Sequence, residues 1–64
     1  MNALRKYRKS QKLTLKQLAS RLKINLSTLH RYETGAITIP AERLVRIEKV
    51  TGVNRAELRP EIYK

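Results

Sequence analysis

Apolar side chains recur along this chain at helical spacing in short blocks, each bounded by a capping residue or a breaker. Leu15, Leu18, Ala19 and Leu22 stand at i, i+3, i+4 and i+7, the stripe of a helix with one buried face. Thr14 precedes the stripe and Gln17 holds the third helical position, the spacing of a capping box in which each side chain meets the other's backbone amide. Upstream, residues 2–10 form a first helix with Asn2 as its cap and Leu4 as its core anchor. Downstream, Lys23-Ile24-Asn25 is a tight turn, and the Asn25 side chain can accept a backbone N–H to open a third helix from Leu26 to about Tyr32. Leu29 and Tyr32 mark its inward face, and Gly35 lies just past its end, where left-handed backbone is usual.

The loop Ala36-Ile37-Thr38-Ile39 leads to Pro40, a residue suited to a helix start. Residues 40–51 then make a fourth helix with Leu44, Ile47 and Thr51 on one stripe, flanked by Ala41 and Val50, and Gly52 ends it. Asn54 and Glu57 have the spacing of a second capping box, opening a one-turn helix that buries Leu58. Pro60 stops that helix and leaves residues 61–64 as a tail. No segment alternates with period two. The expected fold is all-α, five helices in one domain over residues 1–64, with a core of about 3–59 and a short tail from 60 to 64.

Residues 14–35 have an arrangement beyond generic paired helices. The turn between them is too short for an antiparallel pair, so the two helices cross steeply, as in a helix-turn-helix. Ala19 falls at the crossing, and Leu18, Leu22, Ile24 and Leu29 supply the contacts that fix its angle. The second of these helices turns small and basic residues away from its apolar stripe. That is the layout with which a helix enters the major groove of DNA.

Charge strengthens this expectation. Fifteen Lys and Arg stand against five Glu and no Asp, a formal net charge of +10, which implies a polyanionic partner. Cysteine is absent, so no disulfide or thiolate site staples the fold, and the single histidine, His30, lacks metal-binding company. No apolar run spans a bilayer and no signal-peptide core is present, so a cytoplasmic location in a bacterial cell or phage-infected host is expected. Three tyrosines with no Phe or Trp do not make the stacking platform of a single-strand or RNA binder. No catalytic constellation, cofactor motif or small-molecule site is legible, so the chain is not expected to be an enzyme.

The segment LTLKQLASRLKINLSTLHRYETG resembles the lambda-repressor-like family of helix-turn-helix domains, the Cro and C1 type, almost position by position. Its Glu-Thr-Gly ending stands where that family commonly has Glu-Asn-Gly, and the likeness extends over about residues 3–59. The ending TGVNRAELRPEIY is also similar to small Cro-like proteins of the YdaS type. Three positions depart from the pattern. Leu15 replaces a Gln that touches phosphate in many members, Lys23 replaces the turn glycine, and Thr51 replaces a common core leucine. With lysine at the turn, either the backbone is strained or the turn differs.

The resemblance implies roles for individual residues. Leu26, Ser27 and Arg31 match base-reading positions, and His30 joins them as a base or phosphate contact unless it is a plain exposed polar side chain. Arg31 can donate two bonds to guanine; Ser27 can bond a base edge or a phosphate; Leu26 can pack on a thymine methyl or turn inward. Thr28 faces a phosphate or the neighbouring helix. Thr38 lies in the loop placed against phosphates, and Lys9, Lys12, Lys16, Gln17 and Arg43 can extend that track. Arg8 and Glu33 form a family-like pair, either locking the first helix to the third or also orienting Arg8 toward a phosphate. The implied function is sequence-specific repression of transcription, with the protein on double-stranded DNA as a weak homodimer favoured there. Helix 5 and the tail are the expected interface, offering Val53, Leu58, Ile62 and Tyr63. Two rivals keep the fold: an antitoxin or adaptor that chiefly binds a protein, and a sequence-neutral nucleic-acid binder.

Overall fold

Capping chemistry and apolar spacing together divide the chain into short helices. A computed structural model of the protein describes residues 3–59 and places α1 at Ala3–Ser10, α2 at Leu15–Leu22, α3 at Leu26–Thr34, α4 at Ala41–Thr51 and α5 at Arg55–Leu58. No strand occurs among the described residues, so the fold is all-α. Asn2, Pro60 and the tail with Ile62 and Tyr63 lie outside the described residues.

At Thr14 both halves of the capping box form: Gln17 N–H donates to Thr14 Oγ1 at 3.1 Å, and Thr14 N–H donates to Gln17 Oε1 at 2.9 Å. The Asn25 side chain caps α3 through the amide of Ser27 at 2.8 Å. Helices α2 and α3 pack on each other, α4 packs on α2, and α1 bridges α3 and α5. The centre holds Leu4, Leu18, Ala19, Leu22, Leu29, Tyr32, Ile39, Leu44 and Ile47, with Tyr7, Leu13, Leu15, Ile24 and Leu58 packed against it.

Helices α1 and α2 end in the same way. Lys12 and Lys23 take left-handed backbone with φ of 56° and 57°, and the residue after each, Leu13 or Ile24, turns back onto the core. In both turns that following amide bonds the carbonyl five residues earlier, Leu13 to Arg8 at 3.0 Å and Ile24 to Ala19 at 3.1 Å, the Schellman pattern. The turn at Lys23 therefore keeps the shape a glycine would give it, with lysine bearing the strain. Helices α3 and α4 end on Gly35 and Gly52, for which φ of 81° and 75° is ordinary.

Several local expectations change. Helix α3 runs to Thr34, two residues beyond Tyr32, because the Thr34 hydroxyl donates to Arg31 O at 3.2 Å and holds the last turn closed. Pro40 is the cap before α4 rather than its first residue. Ala41 and Val50 are exposed, since the buried stripe of α4 is narrower than expected and centres on Leu44 and Ile47. Thr51 is half-buried, its hydroxyl donating to Ile47 O at 2.7 Å, which explains how it fits a position suited to leucine. Ahead of α5, Asn54 accepts from Ala56 N–H at 2.7 Å rather than from Glu57 N–H, so the capping box is not formed there. Glu48 takes part of that task from α4, accepting Arg55 N–H at 2.8 Å. Leu58 packs on the core but is only half-buried. Ile39, at the end of the loop before Pro40, is in the core at 5% exposure.

Candidate nucleic-acid interface

Helix α3 has two chemically distinct faces. Leu29, Tyr32 and Glu33 are buried, while Leu26, Ser27, His30, Arg31 and Thr34 are exposed. At 100° per residue, Ser27 and Arg31 sit one turn apart near the middle of the outward face, with Leu26 and His30 along one flank. Leu26 opens the helix and is 48% exposed, so it does not turn into the core. An uncovered leucine beside Ser27 and Arg31 offers apolar contact, a hydroxyl and a donor fork on one convex surface. Thr28, half-buried, lies at the other margin of the helix.

Glu33 fastens this helix from behind. Arg8 on α1 donates from Nε to Glu33 Oε2 at 2.8 Å and from Nη2 to Oε1 at 3.1 Å. Its Nη1 donates to the carbonyl of Leu13 at 3.0 Å, so one guanidinium ties α3, α1 and the turn after α1 together. The side chains are 14% and 3% exposed. Three of the five guanidinium donors are used, leaving two for any other acceptor. A paired charge is tolerated in this setting because both Glu33 oxygens accept a hydrogen bond and each Arg8 nitrogen donates one.

The candidate backbone-contact residues do not form one cluster. Lys9, Lys12, Lys16 and Gln17 are exposed from the end of α1 to the first turn of α2. The carbonyl oxygen of Gln17 is held by the capping box, which leaves its amide N–H groups as the available part. Arg43 instead shares a hollow of about 260 Å³ with Lys23, Arg46, Glu42, Ile24 and Leu22, between the α2–α3 turn and the start of α4. Neither Lys23 nor Arg46 is among the DNA contacts expected from the sequence; they lie over twenty positions apart, and only the fold makes them neighbours. Thr38 is exposed but borders a separate cleft with Ile37, Tyr32 and Leu58. His30 borders a small depression with Arg5, Arg8, Leu15, Glu33 and Thr34, on the α1 side of the outward face.

The packed α2–α3 pair, its tight turn and its outward helix face fit one family. A model of helix-turn-helix domains of the lambda-repressor and Cro type matches residues 4–58, most of the chain. The chain belongs to this helix-turn-helix family. It is accordingly a DNA-binding regulatory domain, of a kind that is generally not enzymatic. No curated protein and no solved structure gave a match. Within this helix-turn-helix domain α3 stands as the second helix of the motif, the place that the recognition helix holds in DNA-binding helix-turn-helix proteins in general. No helix among the described residues is long and apolar enough to cross a membrane.

Proposed function

We propose that this domain is a Cro-like, sequence-specific transcriptional repressor that lays α3 in the major groove of a palindromic operator. The observation that carries the reading is the outward face of α3, where Leu26, Ser27, His30 and Arg31 stand exposed on a helix anchored by Leu29, Tyr32 and Glu33. Ser27 and Arg31 read base edges, Leu26 meets a thymine methyl and His30 contacts the base at its flank. Lys9, Lys12, Lys16, Gln17, Thr28, Thr38 and Arg43, with the remaining donors of Arg8, hold phosphates and supply the salt-dependent part of affinity.

Repression is by occupancy in the cytoplasm: a dimer covers the operator and excludes polymerase or a competing regulator. One helix reads only a few base pairs, each mismatch costing about 1–3 kcal/mol, so two half-sites one helical turn apart are needed for genomic discrimination. Val53 and Leu58 remain half-buried after the domain forms its own core, a small apolar surface for a stable interface. Pairing is therefore weak in solution and completed on DNA, where two half-sites raise the effective concentration. Selection of binding sites from random duplexes tests this directly. A palindromic consensus with half-sites about 10 base pairs apart is expected; equal recovery of all sequences would contradict it.

A second reading has one supporting observation. Val45 and Val50 are exposed on α4 at 45% and 39%, beside Arg46 and Lys49. An adaptor role would use that face, and substitutions there would then alter partner binding without altering affinity for DNA.

A further inference from the structure

Two hydrogen bonds at the start of α3 determine what kind of group Ser27 can recognise. The backbone N–H of Ser27 lies 2.8 Å from the side-chain oxygen of Asn25, and Ser27 Oγ lies 2.7 Å from the same oxygen. A backbone N–H can only donate, so the Asn25 atom facing it is the carbonyl oxygen and not the amide nitrogen. That oxygen carries no hydrogen, so the hydroxyl must be the donor in the second contact. A hydroxyl has one proton and two lone pairs. With its proton given to Asn25, Ser27 offers only lone pairs to a ligand in front of the helix.

We propose that Asn25 is a positioning residue for base recognition: it holds the Ser27 hydroxyl as an acceptor, so that Ser27 selects a base with a major-groove amino group, adenine or cytosine. The inference rests on α3 being the recognition helix. Adenine N6 and cytosine N4 present donors in the major groove, whereas guanine O6 and thymine O4 present acceptors, which gain nothing from a second acceptor. Phosphate oxygens are acceptors too, so the same polarity directs Ser27 to a base rather than to the backbone. Arg31, one turn further on the same face, can only donate. The two side chains thus read with opposite polarity: Arg31 suits guanine, and Ser27 suits the amino bases.

Site selection from random duplexes with the wild type, Ser27→Ala, Asn25→Gly and Asn25→Asp tests the proposal, with thermal melts to verify folding. The position relaxed by Ser27→Ala should be adenine or cytosine in the wild type. Glycine is nearly as good a cap as asparagine. Asn25→Gly should therefore fold, free the proton, and lose about threefold to tenfold preference for amino bases at that position alone. Asn25→Asp keeps the oxygen and should keep the preference, while its added charge weakens binding to every sequence. Guanine or thymine at that position in the wild type would overturn the proposal, as would an unchanged preference in a folded Asn25→Gly. If Asn25→Gly does not fold, the wild-type base and its retention in Asn25→Asp decide the matter. A Ser27→Ala profile identical to the wild type would overturn the proposal and leave the role of α3 standing; no consensus in the wild type would remove both.

Discussion

Arg8–Glu33 and Arg55–Glu48 are the same chemical pair at nearly the same separation, 2.8 Å and 2.9 Å, in opposite surroundings. The first is almost closed to water and joins α1, the turn after it and α3. The second is open, at 44% and 29% side-chain exposure, and joins the end of α4 to the start of α5. Water and salt screen the open pair, so it adds little to stability. The closed pair matters mainly when halved, because the partner left behind keeps its desolvation cost without its compensation. Helix α3 is thus held by the interaction that is hardest to remove one side at a time, while α5 is held by one that solvent can replace.

The largest expected effect comes from breaking the closed pair. Glu33→Ala should lower stability by roughly 3 kcal/mol, near the low end for such a loss because Arg8 keeps its bond to the Leu13 carbonyl. Urea melts of Glu33→Ala, Arg8→Ala and the double variant measure the coupling. The double variant should lose clearly less than the two singles combined, and strict additivity would show that the pair does not act as a unit.

A smaller effect of opposite sign separates strain from function on either side of α2. Lys12 and Lys23 hold left-handed backbone that glycine adopts freely. Lys12→Gly and Lys23→Gly should each stabilise the fold by up to about 1 kcal/mol. Affinity for DNA should nonetheless fall in Lys12→Gly, with its log–log salt dependence shallower by at most about one unit. A stabilised Lys12→Gly with an unchanged salt slope would place the phosphate track elsewhere, toward Arg43.

The open pair supplies the smallest effect and a pH signature. A side-chain hydrogen bond from Arg55, with its backbone amide next, holds the Glu48 carboxyl below its usual value of 4.5. A carboxyl lowered in the folded state stabilises fully above the ordinary glutamate value and loses that contribution as pH falls through the lowered one. Glu48→Gln should therefore flatten the acid side of the stability curve slightly, and added salt should shrink the difference above pH 5. A difference that persisted undiminished in high salt would mean that Glu48 acts through more than its charge.

Most of the fold was legible because it rests on local chemistry. Thr14 with Gln17, Asn25, Gly35 and Gly52 act within a turn of their own position, and each stands where its residue type is needed. Expectations failed where a distant residue took over a local task. Glu48 meets the amide of Arg55 from another helix, and Ile39 is in the core with Arg59 Nη1 donating to its carbonyl at 2.8 Å from twenty residues away. The left-handed turn at Lys12 was missed because lysine does not advertise that backbone. The outward face of α3 was legible in outline from helical spacing. The polarity of the Ser27 hydroxyl was not, since it depends on which atom of Asn25 faces it. Nor was the grouping of Lys23, Arg43 and Arg46, which only the packing of α4 on α2 creates.

The central claim, that the outward face of α3 reads sequence, is tested most directly by competition binding with Arg31→Ala. Affinity of wild type and variant would be measured on the selected operator, on the operator with one base pair per half-site changed, and on scrambled duplex. Arg31→Ala should lose about 1–3 kcal/mol on the operator, little on scrambled DNA, and its discrimination at one base pair of each half-site. An equal loss on all three duplexes would show that Arg31 touches only the backbone and would contradict the account.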